Sequence, residues 1–462
     1  MADYQLIIIG GGLSGLAAGI RSARFGQKTL IVEQHSLPGG LNSYYYRQGY
    51  LLETGLHAMT NFAASGNKHA PLNRLFRQLK LSRKKFITHE QLGSEVIFSQ
   101  TSLRFSNDFT LLCEEIARQF PAGIDRFRAM AEEIDAYNPF AEAPWQSARN
   151  FLHDRLAEPL LEDMLLLPLM VYGNAEEHDM DLGQFAIMFR AVFLEGFFRP
   201  QGTIKDLIDM LLEQYSNFGG EIRFRTPVAE IIKKEDKVQG IRLQNGEEVT
   251  ADAVLSTVGI PGTAKLSNWS LDIEQYTGQM TFMETISMLP EPQLPPERTD
   301  RTILFYSLND TLQYHCPAVP IDPSWGVICF PDNFQDLETE DNTATQVRVT
   351  NAANYSLWQQ AAANKEQYRQ LKEKCGQQSA AAVSQILGNY NQGAVFQDSF
   401  TPMTIERFTE KRGGAVYGSP IKIKSGKTPF DNLFIAGTDQ GYLGIVGAML
   451  SGVTVVNQHL LG

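Results

Sequence analysis

Three glycines at the head of the chain have the spacing of a phosphate cradle. Gly10, Gly12 and Gly15 form G-x-G-x-x-G within GGGLSG. In such a turn they serve a tight bend, close backbone approach to a pyrophosphate, and close packing of helix on strand. The apolar run Tyr4–Ile9 precedes them, and small and apolar residues at helical spacing follow from Leu13 to Phe25, closed by Gly26. A helix opening near Leu13 points its positive end and its free N–H groups at the phosphates. Thr29–Val32 then reads as a second strand ending at Glu33, 23 positions after Gly10. Strand, glycine turn, helix and an acidic residue at that distance are the context in which the fingerprint signifies a dinucleotide site. A carboxylate there accepts hydrogen bonds from ribose hydroxyls and repels a 2′-phosphate. The competing account is a plain βαβ turn with Glu33 as a solvated strand end.

Other side chains with reactive potential lack a recognisable arrangement. There is no G-x-S-x-G and no nucleophile motif around the cysteines. Cys113, Cys316, Cys329 and Cys375 show no C-x-x-C spacing, so neither a disulfide framework nor a zinc site is expected, and a reducing cytoplasm is the default. The histidines, His153 and His178 among them, lack H-E-x-x-H spacing. EEHDMD at Glu176 to Asp181 reads as a solvated acidic loop, and no metal is expected.

Further motifs carry a resemblance. QHSLPGGLNSYYYRQGYLLETGLHAM follows Glu33, GGAVYGSP spans Gly413 to Pro420, and NLFIAGTDQGYLGIVGAMLSG lies near the end. Together they resemble the FAD-dependent phytoene desaturase family, and TGLH at Thr54 to His57 is most similar to its carotenoid-isomerase and retinol-saturase branch. The likeness covers both termini and the TPVAEI strand, and the middle of the chain poorly. It implies FAD as the dinucleotide, since only one fingerprint is present. Gly10, Gly12, Leu13, Ser14 and Gly15 would then hold the pyrophosphate, Glu33 with its neighbour Gln34 the adenosine ribose, and Val228 the adenine through its backbone. Gly39, Gly40 and Leu41 would lie along the flavin side. Gly437, Thr438 and Asp439 would contact the diphosphate and ribityl chain. Gly444, Ile445, Val446 and Gly447 would open a helix under the pyrimidine end of the isoalloxazine, where a helix N-terminus stabilises the negative charge of a reduced flavin.

Flavin enzymes acting on carbon–carbon bonds need few acid–base groups, because the cofactor carries the hard chemistry. His57 in ETGLH is the candidate for donating a proton or orienting the ring; a structural histidine beside FAD is the alternative. Tyr442 is a further candidate, against the ring or at the substrate entrance, and Tyr417 a weaker one. The family often has a proline in the stretch occupied by GYLGIVGA, and none stands between Asp439 and Gly452 here. This departure leaves the substrate class open.

These residues need elements to bring them together. From about residue 68 to 215 the texture is long amphipathic helices, then strands return through the QNGEE hairpin turn. Short strands alternate with proline-rich loops over 280–335, a helical stretch runs from Asn342 to Leu387, and a last strand leads into a final helix from about Ile445 to His459. The expected architecture is α/β: a Rossmann-type FAD-binding domain (1–75, 215–265, 405–462) interleaved with an α+β substrate domain of mixed sheet and helices (76–214, 266–404). With 40 basic and 52 acidic residues the net charge is −12, which argues against nucleic acid as a partner and against a polybasic membrane anchor. The longest apolar run, Met164 to Tyr172, is broken by Pro168 and is about half of the ~20 residues a spanning helix needs. The Leu-, Met- and Phe-rich stretch around it could line a long apolar substrate or dock on a membrane surface, although its helical spacing favours ordinary core. The combined expectation is an FAD-dependent oxidoreductase acting on C=C bonds of an apolar isoprenoid or polyene-like molecule. A flavin amine oxidase acting on C–N bonds and a non-catalytic lipid or prenyl escort on the same scaffold are the alternatives.

Overall fold

Five of the six residues of Tyr4–Ile9 are buried, so this strand is covered on both faces, as parallel strands in α/β proteins are. In the computed structural model, which describes residues 2–99, 101–290, 294–295, 298–337 and 344–461, it is an inner strand of the first of two seven-stranded sheets. It pairs in parallel with Thr29–Val32 on one side and Glu248–Ser256 on the other. Glu221–Arg223 extends the sheet beyond Thr29–Val32, Leu433–Ile435 adds in parallel to Glu248–Ser256, and Val228–Lys234 with Lys237–Leu243 forms an antiparallel edge. The sheet therefore gathers its strands from both ends and the middle of the chain. The helix Leu13–Ala23 packs against Gly444–Val455 so closely that a Cβ on Gly452 would stand 2.1 Å from the Ser14 carbonyl. The first and last elements are thus locked backbone to backbone.

The second sheet runs Phe396–Phe400, Thr281–Leu289, Thr345–Ala353, Ile321–Cys329, Ile303–Ser307, Ser94–Phe98, Thr101–Phe105. Its pairings are antiparallel except that of Ile303–Ser307 with Ser94–Phe98. In its centre Glu284 stands opposite Thr350 and Ile286 opposite Arg348. Opposed residues share a face and side chains alternate, so Phe282, Glu284, Arg348 and Thr350 all project from one side.

Two expectations change. The helix expected from Asn342 begins outside the described residues, and Thr345–Ala353 is a strand; helices follow at Tyr355–Ala362 and Lys365–Leu387. Val347, Val349 and Thr350 are β-branched, and their strand pairs with a long strand on each side, which outweighs the helical texture of the Gln- and Ala-rich segment behind it. The helical region from 68 to 215 also contains the short strands Thr88–Glu90, Ser94–Phe98 and Thr101–Phe105. The final helix is Gly444–Val455, prolonged by a π turn, Val456–Leu460.

The apolar stretch proves to be core. Leu165, Leu166, Leu167, Leu169 and Met170 in the helix Pro159–Gly173 are at most 1% exposed and belong to one continuous cluster with Phe185, Phe189 and Phe193. The last turn of that helix, Val171 and Tyr172, reaches a cavity. Among the described residues no helix is long and apolar enough to cross a membrane.

Candidate functional site

A cavity of about 620 Å³ runs along the glycine turn and is lined from both sheets. Gly10, Gly12, Leu13 and Ser14 form one wall, Glu33 and Gln34 continue it, and Gly39, Gly40 and Leu41 cross over it. Val228, with Thr226, Val258 and Leu266, encloses another part, and Thr438, Lys411, Gly444 and Ile445 a third. From the second sheet come Phe282, Glu284, Val327 and Thr350, joined by His57, Val171, Tyr172 and Tyr417.

The three fingerprint glycines separate cleanly. Gly10 sits at φ +104°, and a Cβ there would come 2.4 Å from Thr257 Oγ1, so it makes the bend. Gly15 faces the Gly10 carbonyl, which a Cβ would approach to 2.1 Å, so it packs helix on strand and does not line the cavity. Gly12, the N-cap of the helix at φ −69°, has nothing within 4 Å of where its Cβ would be. That open space lies beside first-turn N–H groups, which have no acceptor within a helix. Ser14 Oγ is buried there without a hydrogen-bond partner among the described residues. An orphan hydroxyl, free N–H donors and a helix N-terminus around open space fit a phosphate group. Glu33, 7% exposed, accepts from Gly11 N (2.7 Å) through Oε2 and from His35 N (2.8 Å) through Oε1. Each carboxylate oxygen retains a lone pair, so Glu33 can brace the turn and still accept from a sugar hydroxyl. The residues present therefore fit a dinucleotide.

Six of the expected residues lie off the cavity lining. Besides Gly15, Gly437 donates its N–H to Ser451 Oγ at 2.6 Å and lies behind the wall. Asp439 is 2% exposed, and its carboxylate accepts from Ile260 N (2.6 Å) and Ser419 N (2.9 Å), tying three segments together. Val446 is fully buried in the apolar core, and Gly447 faces Tyr442. Tyr442 stacks on Phe140 with ring centroids 5.0 Å apart and reaches Thr454 Oγ1 at 3.3 Å, directed away from the cavity. For Val446 and Gly447 helical geometry explains this, since only one face of Gly444–Val455 can meet the cavity.

Lys411, Glu284, Arg348 and Arg199 were not among the residues expected from sequence, whereas His57 and Tyr417 were. Lys411 Nζ donates to Thr438 Oγ1 (2.8 Å) and Val416 O (3.0 Å), and burial pulls its ammonium below the usual lysine range, countered by Asp439. The Tyr417 hydroxyl donates to Val171 O. His57 Nε2 lies 2.7 Å from Glu284 Oε2, and the fully buried Arg348 holds the other Glu284 oxygen through Nε at 2.6 Å and through Nη2. Burial pushes the Glu284 carboxyl upward, but Arg348 and His57 outweigh it and hold it below the usual carboxylate range. The loop that carries His57 is pinned by two buried arginines: Arg348 donates to Leu56 O and Thr54 O, and Arg199 donates to Leu56 O and to Glu53. A charged residue in the middle of each of two apolar strands, TFMETISML and TQVRVTNAA, was the available signal. Among the described residues no group of three or more His, Cys, Asp or Glu side chains could hold a metal ion.

Comparison with known proteins agrees with this geometry. The chain is 22% identical to prolycopene isomerase 2 of an Oncidium hybrid cultivar over 55% of its own length, and spans 48%, about half, of that relative. It is 19% identical to the all-trans-retinol 13,14-reductase of Danio rerio over 99% of its own length and 87% of the relative's. The crystal structure of an oxidoreductase from Methanosarcina mazei superposes with a TM-score of 0.68 at 15% identity, covering 98% of this chain and all of that one, and so shares the fold. The family described as flavin containing amine oxidoreductase matches residues 13–458, and the chain belongs to that family.

Proposed function

We propose that the protein is an FAD-dependent oxidoreductase acting on carbon–carbon double bonds of an apolar, polyene-like small molecule, by desaturation, saturation or isomerisation. The observation that carries the reading is a single cavity lined both by the glycine turn and by His57 with an apolar wall from the second sheet. Gly12, Leu13 and Ser14 offer donors and open space to the pyrophosphate, Glu33 and Gln34 meet the adenosine ribose, and Val228 flanks the adenine. Gly39, Gly40, Leu41 and Thr438 border the flavin, and Gly444 and Ile445 bring a helix N-terminus, with no acidic residue in its first turn, to the ring. Lys411 adds a cation on that wall. Bound there, the flavin supplies the two-electron chemistry. The chain supplies orientation, exclusion of water and, at His57, a group able to hold or move a proton. Val171, Tyr172, Phe282 and Val327 give the substrate region its apolar character, as pockets for such molecules require. Relatives named for prolycopene and retinol point to the same class.

The sheet memberships support the interleaved division, with the FAD-binding domain at 1–75, 215–265 and 405–462. Four free cysteines support a reducing, cytoplasmic setting. A peripheral membrane contact would fall on Phe140 and Trp145, exposed by 49% and 52% on one loop. The intact phosphate cradle speaks against a cofactor-free escort. Tyr172 and Tyr417, two tyrosines on the cavity wall, are the one feature that favours C–N oxidation instead.

The test is the visible spectrum of the purified protein, then anaerobic incubation of its oxidised and dithionite-reduced forms with prolycopene, all-trans-retinol and, as the competing class, putrescine. A yellow protein converting a polyene is expected. A colourless one that cannot be reconstituted with FAD overturns the flavin reading, and turnover of the amine alone overturns the substrate class.

A further inference from the structure

The geometry points to Glu284 and Arg348 as positioning residues that hold His57 with its proton on Nε2 and its Nδ1 lone pair available to the cavity. The inference rests on the proposed reading only for its use of His57 in turnover; the tautomer stands on donor and acceptor counts alone. Glu284 is an anion, and every site on it is taken. Oε1 accepts Arg348 Nε at 2.6 Å and Arg348 Nη2, while Oε2 faces His57 Nε2 at 2.7 Å and accepts the Thr350 hydroxyl at 3.4 Å. A carboxylate flanked in this way has only acceptors to offer, so His57 Nε2 must carry the hydrogen. No protein group bonds Nδ1 among the described residues, and it is not sealed from solvent, while His57 itself lines the cavity. In the neutral ring the lone pair is then on Nδ1. A proton released at a substrate carbon or its neighbour can be taken there, and in the charged ring it can be returned from the same atom.

The partners are built into the second sheet, while His57 is on the loop that follows the hairpin strand Tyr50–Glu53. Glu284 and Arg348 sit on adjacent paired strands, one diagonal step apart on the same face. Arg348 is fully buried and also reaches Leu56 O (3.3 Å) and Thr54 O (3.4 Å), the backbone immediately before His57. One guanidinium thus fixes both the carboxylate that orients the ring and the chain that carries it. The logic is that of a carboxylate holding a catalytic imidazole in one tautomer.

The decisive variant is Glu284→Gln. Arg348 can only donate, so the glutamine must turn its carbonyl to Arg348 and its NH2 to His57. His57 Nε2 then has to accept, and the ring proton moves to Nδ1. The holoprotein labelled with ring-¹⁵N histidine is examined by long-range ¹H–¹⁵N NMR at a pH where imidazole is neutral, with His57→Asn identifying the resonance. Nε2–H in the wild type and Nδ1–H in E284Q, with unchanged flavin occupancy and a fall of about 10²-fold or more in polyene turnover, is the expected result. Nδ1–H in the wild type, or the same tautomer in both proteins, overturns the proposal, and the wild-type measurement decides it even if E284Q does not fold. A tautomer switch in a protein that converts no polyene refutes the proposed reaction and leaves the positioning role standing.

Discussion

Replacing Gly12 by valine separates ligand binding from folding more sharply than any other change in the glycine turn. Its backbone, φ −69° and ψ 172°, suits a β-branched residue, and its Cβ would meet no atom within 4 Å. The fold therefore loses only the difference between glycine and valine at an N-cap, about 1 kcal/mol at most, a shift of no more than about 2–4 °C in Tm. The isopropyl group instead fills the space through which a pyrophosphate must approach the first-turn N–H groups. Losing two charge-assisted hydrogen bonds at about 1.5–3 kcal/mol each weakens FAD by about 3–6 kcal/mol, or roughly 10²–10⁴-fold in Kd. Gly15→Ala is the contrasting change. Its Cβ would stand 2.1 Å from the Gly10 carbonyl and 3.3 Å from Ile8, so it should cost about 1–3 kcal/mol or more in stability through overpacking. The assay is flavin content after reconstitution, Kd from quenching of FAD fluorescence, and the Tm of each apoprotein. A Gly12→Val protein that keeps wild-type affinity, or loses flavin only because it no longer folds, would refute the assignment of Gly12 as the residue that admits the phosphates.

Glu33→Ala removes the acceptor that braces Gly11 N and His35 N; FAD affinity should fall at least about tenfold with the fold retained, as equilibrium dialysis of the variant will measure. Arg199→Met leaves the Glu53 carboxylate buried without its cation, which should cost about 3–5 kcal/mol, read as a lowered urea midpoint. Burial pushes the Lys422 ammonium down to about 8, with Asp439 opposing. An unfolded lysine titrates near ~10.4, so from about pH 8 to ~10 the unfolded chain holds more protons and this group's contribution to stability rises with pH. The wild type should therefore gain on Lys422→Met as pH goes from 7 to 10; a constant difference in urea midpoint would show that Lys422 is not held in that state. His57→Phe should retain flavin and lose polyene turnover, whereas loss of flavin would make His57 a structural residue.

What could be read directly was local in the chain. The strand Tyr4–Ile9, the turn at Gly10 to Gly15, the helix behind it and Glu33 lie within the first 33 residues, and their roles follow from backbone geometry and the helix dipole. The hairpin at QNGEE was legible for the same reason, since turn chemistry acts over a few residues. The motif residues near the C-terminus were only half legible. Thr438, Gly444 and Ile445 line the cavity, but Asp439 and Tyr442 do not, because a motif does not say which side of its element faces the ligand. Thr345–Ala353 was hidden behind the helical texture of the segment that follows, and its pairing partners on both sides decided its state.

By itself the amino-acid sequence determined a βαβ unit with a glycine turn, an acidic residue at the end of its second strand, and a histidine placed nearby by motif. Only the tertiary structure supplied what orients that histidine. Glu284 lies 227 positions along the chain from His57, and Arg348 reaches a carbonyl 292 positions away at Leu56. No local pattern encodes such a distance. Strand register put the carboxylate and the guanidinium on one face, and burial made their pairing obligatory, because an unpartnered charge in that interior would cost too much to keep.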